Sequence, residues 1–123
     1  MATSVVYMKR HDTRPFLDVQ LQDVDANNIN VTAAIATEVK FTMKEINSTT
    51  IIATGACTIL PATDLTKDNG YDGRVRYIWL AADTVTAGEY LGEFQITYTN
   101  GDKMTVPSSG TLAIVILEDY DNA

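Results

Sequence analysis

The stretch EYLGEFQITYTNGDKMTV, residues 89–106, decides the fold. Four large apolar side chains share one parity along residues 89–99: Tyr90, Phe94, Ile96 and Tyr98. Because successive side chains of a strand point to opposite faces, this spacing predicts a strand with one buried face. Asn100-Gly101 then favours a two-residue turn, and residues 102–106 supply a returning strand. The stretch therefore predicts an antiparallel β-hairpin.

Similar short segments fill most of the chain on either side of this hairpin. They are rich in β-branched and aromatic residues, and turn formers separate them. We predict strands over residues 15–22, 29–31, 37–46, 50–60, 74–80 and 111–117. About seven or eight strands at this spacing predict an all-β, immunoglobulin-like antiparallel β-sandwich.

Three of these segments need a closer interpretation. Residues 37–46 could compete as a helix, but Val39, Phe41 and Met43 alternate with polar residues, which favours a strand. Residues 50–60 are expected to be interrupted by a bulge at Gly55. Residues 111–117 are apolar almost throughout, which predicts burial on both faces or a central position in a sheet.

The chain length of 123 residues suits one domain. We expect a flexible N-terminal arm over residues 1–13, the sandwich over residues 14–118, and an acidic tail over residues 119–123.

Composition narrows the classes of function. Hydrophobic residues make up 46% of the chain and charged residues 20%, as in a folded globular protein. The net charge of −7 disfavours binding to nucleic acids and to anionic membranes, because both require a basic surface. No apolar run is long enough to span a bilayer, and the N-terminus lacks a signal-peptide pattern. The single cysteine, Cys57, is expected to be a small buried side chain in a reducing compartment.

The sequence offers little chemistry. His11 is the only histidine, and its neighbour Asp12 would point to the opposite face of a strand, which makes a poor catalytic pair. Oxygen ligands for Ca²⁺ could come from Asp64, Asp68, Asn69, Asp72 and Asp83. The spacing of Asp68 and Asp72 does not match a calcium loop, so a solvated loop over residues 64–73 is the favoured interpretation. We therefore predict no enzyme activity, no catalytic residue, no cofactor and no metal site.

One cluster of residues indicates a structural role. Tyr90 follows Gly88 by two residues, and Asp83 lies about a turn earlier, a spacing that resembles the tyrosine corner of Greek-key sandwiches. In such a corner the tyrosine hydroxyl bonds to backbone. Asp83 could accept backbone N–H bonds in the turn at residues 84–86. Trp79 is expected to be a large core anchor.

Residues 74–110 also carry a spaced pattern, namely YxW at 77–79, ADT at 82–84, AGxY at 87–90, EFxIxY at 93–98, NG at 100–101 and TxP at 105–107. The pattern resembles the immunoglobulin-like N-terminal domain of phage baseplate upper proteins. That resemblance implies a docking domain without the stalk that follows it in the family. It also implies a virion structural or adaptor protein at the baseplate, tail fibre, neck or capsid, assembled in the host cytoplasm.

Such a protein would act through protein–protein contacts with other virion proteins, in a homo-oligomer or in multiple copies, without nucleic acid or membrane. Arginine and aromatic side chains are favoured at interfaces, which gives a set of candidate contact residues: Tyr7, Met8, Arg10, Phe16 and Tyr120. The alternative function is a carbohydrate- or surface-binding module, which would need a row of exposed aromatic rings.

Overall fold

The computed structural model describes residues 3–107 and 111–118. Nine strands lie in this part of the chain: β1 (Thr3–Lys9), β2 (Leu17–Gln20), β3 (Ala36–Glu45), β4 (Ile51–Ala56), β5 (Thr58–Ile59), β6 (Arg74–Tyr77), β7 (Gly88–Tyr98), β8 (Lys103–Val106) and β9 (Thr111–Leu117). A single 3₁₀ turn covers Ala81–Thr84. Within the described ranges, no helix has the length and apolar character needed to cross a membrane.

The strands form two sheets that pack face to face. The larger sheet has the order β1-β9-β7-β3-β4, with β8 paired to the far half of β7. The smaller sheet has the order β2-β6-β5. The predicted all-β sandwich is therefore confirmed. The larger sheet is mixed and not purely antiparallel, because β1 runs parallel to β9, whereas the smaller sheet is antiparallel.

An aromatic cluster joins the two sheets. The Phe41 ring of β3 lies 4.6 Å from Tyr77 of β6 and 5.1 Å from Phe94 of β7, measured between ring centroids. Trp79 meets Phe41 edge-on at 5.8 Å. A Cβ atom at Gly92 would lie only 2.8 Å from Phe41, so glycine leaves the space that this ring fills. Edge-on and tilted ring pairs of this kind add to the stability that burial provides.

The hairpin predicted at residues 89–106 is present, but the predicted two-residue turn is wrong. The Tyr98 N–H bonds to the Asp102 carbonyl oxygen at 2.8 Å, which leaves three residues, 99–101, in the loop. β7 and β8 pair antiparallel from Phe94↔Val106 to Thr97↔Lys103. Gly101 has a φ of 94° and donates its N–H to the Tyr98 carbonyl oxygen at 2.9 Å. The strand predicted at residues 37–46 is also confirmed, as β3, and its alternation buries Val39, Phe41 and Met43.

Two predicted strands differ in detail. Residues 50–60 break at Cys57 and not at Gly55, since β4 pairs with β3 in the larger sheet whereas β5 pairs with β6 in the smaller one. The chain thus changes sheets at Cys57, whose N–H still bonds to the Val39 carbonyl oxygen at 2.7 Å. Residues 29–31 form no strand. Ile29 and Val31 are buried in a loop. The Ile29 N–H donates to the Leu21 carbonyl oxygen, and the Val31 N–H donates to the Gly70 carbonyl oxygen.

The prediction of a flexible arm over residues 1–13 is wrong for residues 3–9. These residues form β1, which pairs with β9 in unbroken register from Thr3↔Thr111 to Lys9↔Leu117. Val6 and Met8 point inward and pack on the core. The short apolar run over residues 5–8, with two valines and a tyrosine, was the sequence signal for this strand. The sandwich therefore begins before residue 14, and the predicted tail at residues 119–123 lies outside the described residues.

Candidate interaction surface

The outer face of the larger sheet, which points away from the smaller sheet, carries a group of apolar side chains. Strand register aligns Val5 with Ala113 and Leu91, and it aligns Tyr7 with Val115. Leu117 follows on β9. Three of these side chains are well exposed, at 46% for Val5, 64% for Tyr7 and 41% for Leu117. We call the following six residues the apolar patch: Val5, Tyr7, Leu91, Ala113, Val115 and Leu117.

Charged side chains of both signs border the apolar patch. Lys44 lies opposite Leu91 on β3, and its Nζ donates a hydrogen bond to the Ser48 carbonyl oxygen at 2.9 Å. Glu89 lies opposite Val115, and Glu93 lies one pleat beyond Leu91. An apolar centre with a polar border is the usual composition of a protein–protein contact surface.

The sequence prediction did not find most of this patch. The apolar run at residues 111–117 was expected either to be buried on both faces or to lie centrally in a sheet, and only the second alternative holds in full. Leu112, Ile114 and Ile116 are buried between the sheets, whereas Ala113 and Val115 are partly exposed on the outer face. The central position of β9, between β1 and β7, was expected correctly.

Two predicted contact residues, adjacent in sequence, have opposite positions. Tyr7 belongs to the apolar patch. Met8 is only 4% exposed and points between the sheets, so its prediction as a contact residue is wrong. The physical reason is the two-residue period of β1, which places neighbours on opposite faces.

The other predicted contact residues either bind side chains or backbone of this same chain or lie outside its described part. Arg10 donates from Nε to the Val85 carbonyl oxygen at 2.8 Å and from Nη1 to the Glu118 carboxylate at 2.9 Å. The Phe16 ring lies beneath two guanidinium groups, 4.8 Å from that of Arg76 and 5.2 Å from that of Arg14. Tyr120 lies outside the described residues.

A groove of about 550 Å³ opens at one side of the sandwich, between β2 and the strands β1 and β9. Its polar rim groups already have partners. Asp18 forms a two-point ion pair with Arg76 at 2.7 and 3.0 Å, and this bond holds the pKa of Asp18 below its ordinary value. Asp23 accepts the N–H groups of Asp25 and Asn27. The apolar lining consists mainly of Val6, Leu17, Val19, Val24, Phe94, Val106, Pro107 and Leu112.

The residues predicted to form a tyrosine corner meet at the start of β7. The Tyr90 hydroxyl donates to the Thr86 carbonyl oxygen at 2.6 Å, which is the backbone bond that defines such a corner. Burial, followed by the charge of Glu45, raises the pKa of Tyr90. Gly88 has a φ of 154°, and a Cβ atom there would face the Tyr90 hydroxyl at 3.6 Å. The bond from the Tyr90 hydroxyl to the Thr86 backbone therefore fixes the chain where it enters β7.

Asp83 accepts hydrogen bonds from residues that precede it, and not from the turn at residues 84–86 as predicted. One of its carboxylate oxygens accepts the Tyr77 hydroxyl at 2.7 Å and the Leu80 N–H at 2.9 Å. Burial and this carboxylate raise the pKa of Tyr77 well above its ordinary range. Trp79 is 2% exposed in the core, and its indole Nε1 has no hydrogen-bond partner among the described residues. Asp83 thus connects β6 to the 3₁₀ turn.

The remaining reactive side chains serve local structure. Burial raises the pKa of the Cys57 thiol to about 12, so its nucleophilic thiolate is scarce at neutral pH. His11 lies in a turn with a φ of 67°, and its N–H bonds to the Thr84 carbonyl oxygen. Asp64 and Asp72 accept bonds from Thr66 and Thr63, which lower the pKa of both carboxyls. Within residues 3–107 and 111–118, no three His, Cys, Asp or Glu side chains are grouped to hold a metal ion.

Rows of exposed aromatic rings, which the carbohydrate-binding alternative requires, are not found in the described residues. Tyr7 and Tyr71 are the rings with large exposure, at 64% and 45%. Tyr71 lies beside Lys67, whose Nζ is 5.2 Å from the ring centroid. The rings of Tyr77, Trp79 and Tyr90 are buried.

Comparison with known proteins identifies the fold. No family model matches the chain, and no curated protein matches it. Among solved structures, the chain is similar to the crystal structure of CopC from Methylosinus trichosporium OB3b, with a TM-score of 0.51 and 6% sequence identity. The match covers 95% of this chain and 87% of CopC. At this identity the similarity establishes a shared β-sandwich.

This comparison corrects the predicted function. The prediction of a phage virion protein at the baseplate, tail, neck or capsid is wrong, because the structure that the chain resembles, CopC, is not a virion protein. Part of the pattern over residues 74–110 has a role within the sandwich. Its Tyr77, Tyr90 and Asp83 make the bonds that close the connection from β6 to β7.

Proposed function

We propose that this chain is a non-enzymatic protein-binding domain that holds a partner protein against the apolar patch of its larger sheet. The observation that carries the proposal is the alignment of Val5, Ala113 and Leu91 across three neighbouring strands, with Tyr7 and Val115 in the next row. Contiguous exposed apolar surface is costly in water, and it commonly marks an interaction site.

The charges around the patch favour a folded protein surface as the partner. Lys44, Glu89 and Glu93 provide both signs within one pleat of the apolar centre. A partner with a mixed polar rim can satisfy both signs at once, whereas a polyanion would meet the two carboxylates. The whole chain carries a net charge of −7, which opposes indiscriminate association.

The use of the remaining side chains supports a binding function over catalysis. The thiol of Cys57 has a pKa raised to about 12, and the Tyr77 hydroxyl is committed to Asp83 inside the core. The groove beside β2 has rim carboxylates that are already paired. The polar groups that could orient a substrate are therefore engaged in the fold.

Affinity capture with matched charge substitutions tests the proposal. The tagged protein is produced at low level in its natural cells, beside Val115→Lys in the patch and Ile78→Lys as a control, since Ile78 is 50% exposed and follows β6. We expect the wild type and the control to retain the same partner, and Val115→Lys to bind that purified partner at least about tenfold more weakly, a loss of about 1.4 kcal/mol.

Two results would contradict the proposal. One is equal binding of the partner by Val115→Lys and the wild type. The other is an equal loss for the Ile78→Lys control. Thermal unfolding of each variant shows whether the sandwich is intact, because a solvent-facing substitution is expected to change stability by less than about 0.5 kcal/mol.

A further inference from the structure

The first strand, β1, forms one end of the larger sheet. One edge of β1 pairs with β9 over seven residues in unbroken register. No strand in the described part of the chain pairs with its other edge. A free strand edge presents unpaired N–H and C=O groups that can template another strand.

The hydrogen-bond alternation shows which residues present these groups. Arg10 donates its N–H to the Leu117 carbonyl oxygen at 2.8 Å, so Arg10 and every second residue before it face β9. Val6 and Met8 are in that set. The backbone groups of Val5 and Tyr7 therefore point to the free edge.

The free edge of β1 is less protected than the other edges. β4 is disturbed by an irregularity opposite Met43 and Lys44, and it contains Gly55. β2 has only four residues, including the charged Asp18, and β5 has two. The sequence of β1, TSVVYMK, holds neither proline, glycine nor a carboxylate, and its one charged residue, Lys9, lies at the end of the strand. Natural sheet proteins use short strands, bulges and charges to prevent edge pairing.

We propose that β1 pairs antiparallel with β1 of a second copy of this chain, about a two-fold axis at Val6, and that the two larger sheets form one continuous sheet. In this register Val5 lies opposite Tyr7 of the second copy. Both residues have outward-facing backbone groups, so they exchange N–H and C=O bonds. Val6 lies opposite its own counterpart in the pair without such bonds.

The side chains of this register are complementary. Tyr7, 64% exposed, would cover Val5 of the second copy, and an aromatic residue opposite a β-branched one is a favourable cross-strand pair. Each pairing occurs twice because of the two-fold symmetry. The apolar patches of the two copies become adjacent, which continues the surface described above. The inference goes beyond the proposed function and concerns a different partner.

Charge and size set the expected strength of the dimer. The five residue pairs formed by residues 4–8 bury less than the roughly 1,200–2,000 Å² of a stable interface. We therefore expect a dissociation constant in the range of about 1–100 μM. Two chains of net charge −7 repel each other, and salt screens that repulsion. The dimer is accordingly expected to tighten as ionic strength rises.

Analytical ultracentrifugation of the purified full chain, over protein concentrations from about 1 μM to 1 mM, tests the inference. The wild type should convert from monomer to dimer across this range. Val5→Glu and Tyr7→Lys should each weaken the dimer at least about tenfold. The control Ile51→Lys changes an apolar residue on the β4 edge that is 60% exposed, and it should leave the dimer unchanged.

The double variant Val5→Glu/Tyr7→Lys tests the register itself. With the axis at Val6, each introduced glutamate faces an introduced lysine, and dimerisation should recover from the level of the single variants. A register with Val5 opposite Val5 would place like charges together. A wild type that stays monomeric throughout, a double variant as weak as the singles, or a dimer lost in Ile51→Lys would each overturn the inference.

Different variants test partner binding at the apolar patch and dimerisation through β1, so either proposal can fail without the other. Val115 lies on β9 and faces solvent on the outer face, away from the free edge of β1, so Val115→Lys should leave the dimer intact while it weakens binding of the partner. Val5→Pro gives a second check on the dimer. It removes an N–H that points to the free edge and spares the ladder between β1 and β9, as prolines on edge strands do.

Discussion

The Tyr77 hydroxyl donates a 2.7 Å hydrogen bond to a carboxylate oxygen of Asp83, and both side chains are buried. The same oxygen accepts the Leu80 N–H at 2.9 Å. Asp83 thus joins the last residue of β6 to the 3₁₀ turn that leads into β7. The Tyr77 hydroxyl, the Leu80 N–H and the Asp83 carboxylate thus bond to one another and not to water, at the place where the chain crosses between the sheets.

This arrangement predicts an order of stabilities. Asp83→Ala leaves two donors without an acceptor and should lower the free energy of unfolding by about 2–4 kcal/mol. Tyr77→Phe leaves Asp83 with its backbone bond and should cost about 1–2 kcal/mol. Urea denaturation measures both values. A larger cost for Tyr77→Phe than for Asp83→Ala would show that the carboxylate is not the centre of this contact.

The tyrosine corner predicts a difference between two tyrosines of the same strand. Tyr90→Phe removes a 2.6 Å bond to the Thr86 carbonyl oxygen and should destabilise the fold by about 1–2 kcal/mol. Tyr98→Phe is the matched control, since within the described part of the chain the Tyr98 hydroxyl bonds only to the weak acceptor Sδ of Met104, at 3.6 Å. Its cost should stay below about 0.5 kcal/mol. Equal costs in denaturant titrations would contradict a special role for Tyr90.

The packing of β1 predicts opposite effects at neighbouring positions. Met8→Ala removes a side chain that is 4% exposed and should cost about 2–4 kcal/mol. Tyr7→Ala alters an outward side chain and should change the stability of the monomer by less than about 0.5 kcal/mol. Thermal unfolding at low protein concentration measures both. A stable Met8→Ala variant would mean that residues 3–9 contribute little to the core.

The Asp18–Arg76 ion pair predicts a modest dependence of stability on pH. The bond to Arg76 lowers the pKa of Asp18 in the folded state. Its contribution is therefore present above the unfolded-state pKa of about 4 and is lost as pH falls through the lower, folded-state pKa. The Asp18 side chain is 49% exposed, so solvent screening keeps the contribution below about 1 kcal/mol.

Asp18→Asn tests this dependence. Stability should fall less in the variant than in the wild type between about pH 6 and pH 2, because the variant has no carboxylate to protonate at this site. Asp64 and Asp72 remain in both proteins, and their lowered pKa values give the same acid-sensitive background. An identical pH profile for the two proteins would show that the ion pair adds nothing to stability.

Alternation in the sequence predicted most of the fold. Val39, Phe41 and Met43 identified β3, and Asn100-Gly101 identified the turn between β7 and β8. Alternation failed at Cys57, where the chain changes sheets, because only the position of β6 in space decides which partner each half strand takes. It also could not show that β1 lies parallel to β9, since pairing between the two ends of a chain leaves no local signal.

The candidate surface was less accessible from sequence than the fold. A run of apolar residues such as Ala113-Ile-Val-Ile-Leu117 looks alike whether one face of its strand or both faces are buried. The difference depends on what covers the sheet. The smaller sheet covers Ile114 and Ile116, and no described residue covers Ala113 and Val115 completely. Tyr7 was selected as a contact residue, but for its residue type and not for its place in a patch.

Photo-crosslinking at the centre of the apolar patch tests most directly whether this face binds a partner. p-Benzoylphenylalanine is introduced at Leu91, two strands away from the free edge of β1, and at Ile78 as the control, in cells that naturally make the protein. We expect an adduct between the Leu91 position and a protein other than this chain, and none from the Ile78 position. No adduct at Leu91, or the same adducts from both positions, would contradict the proposed function.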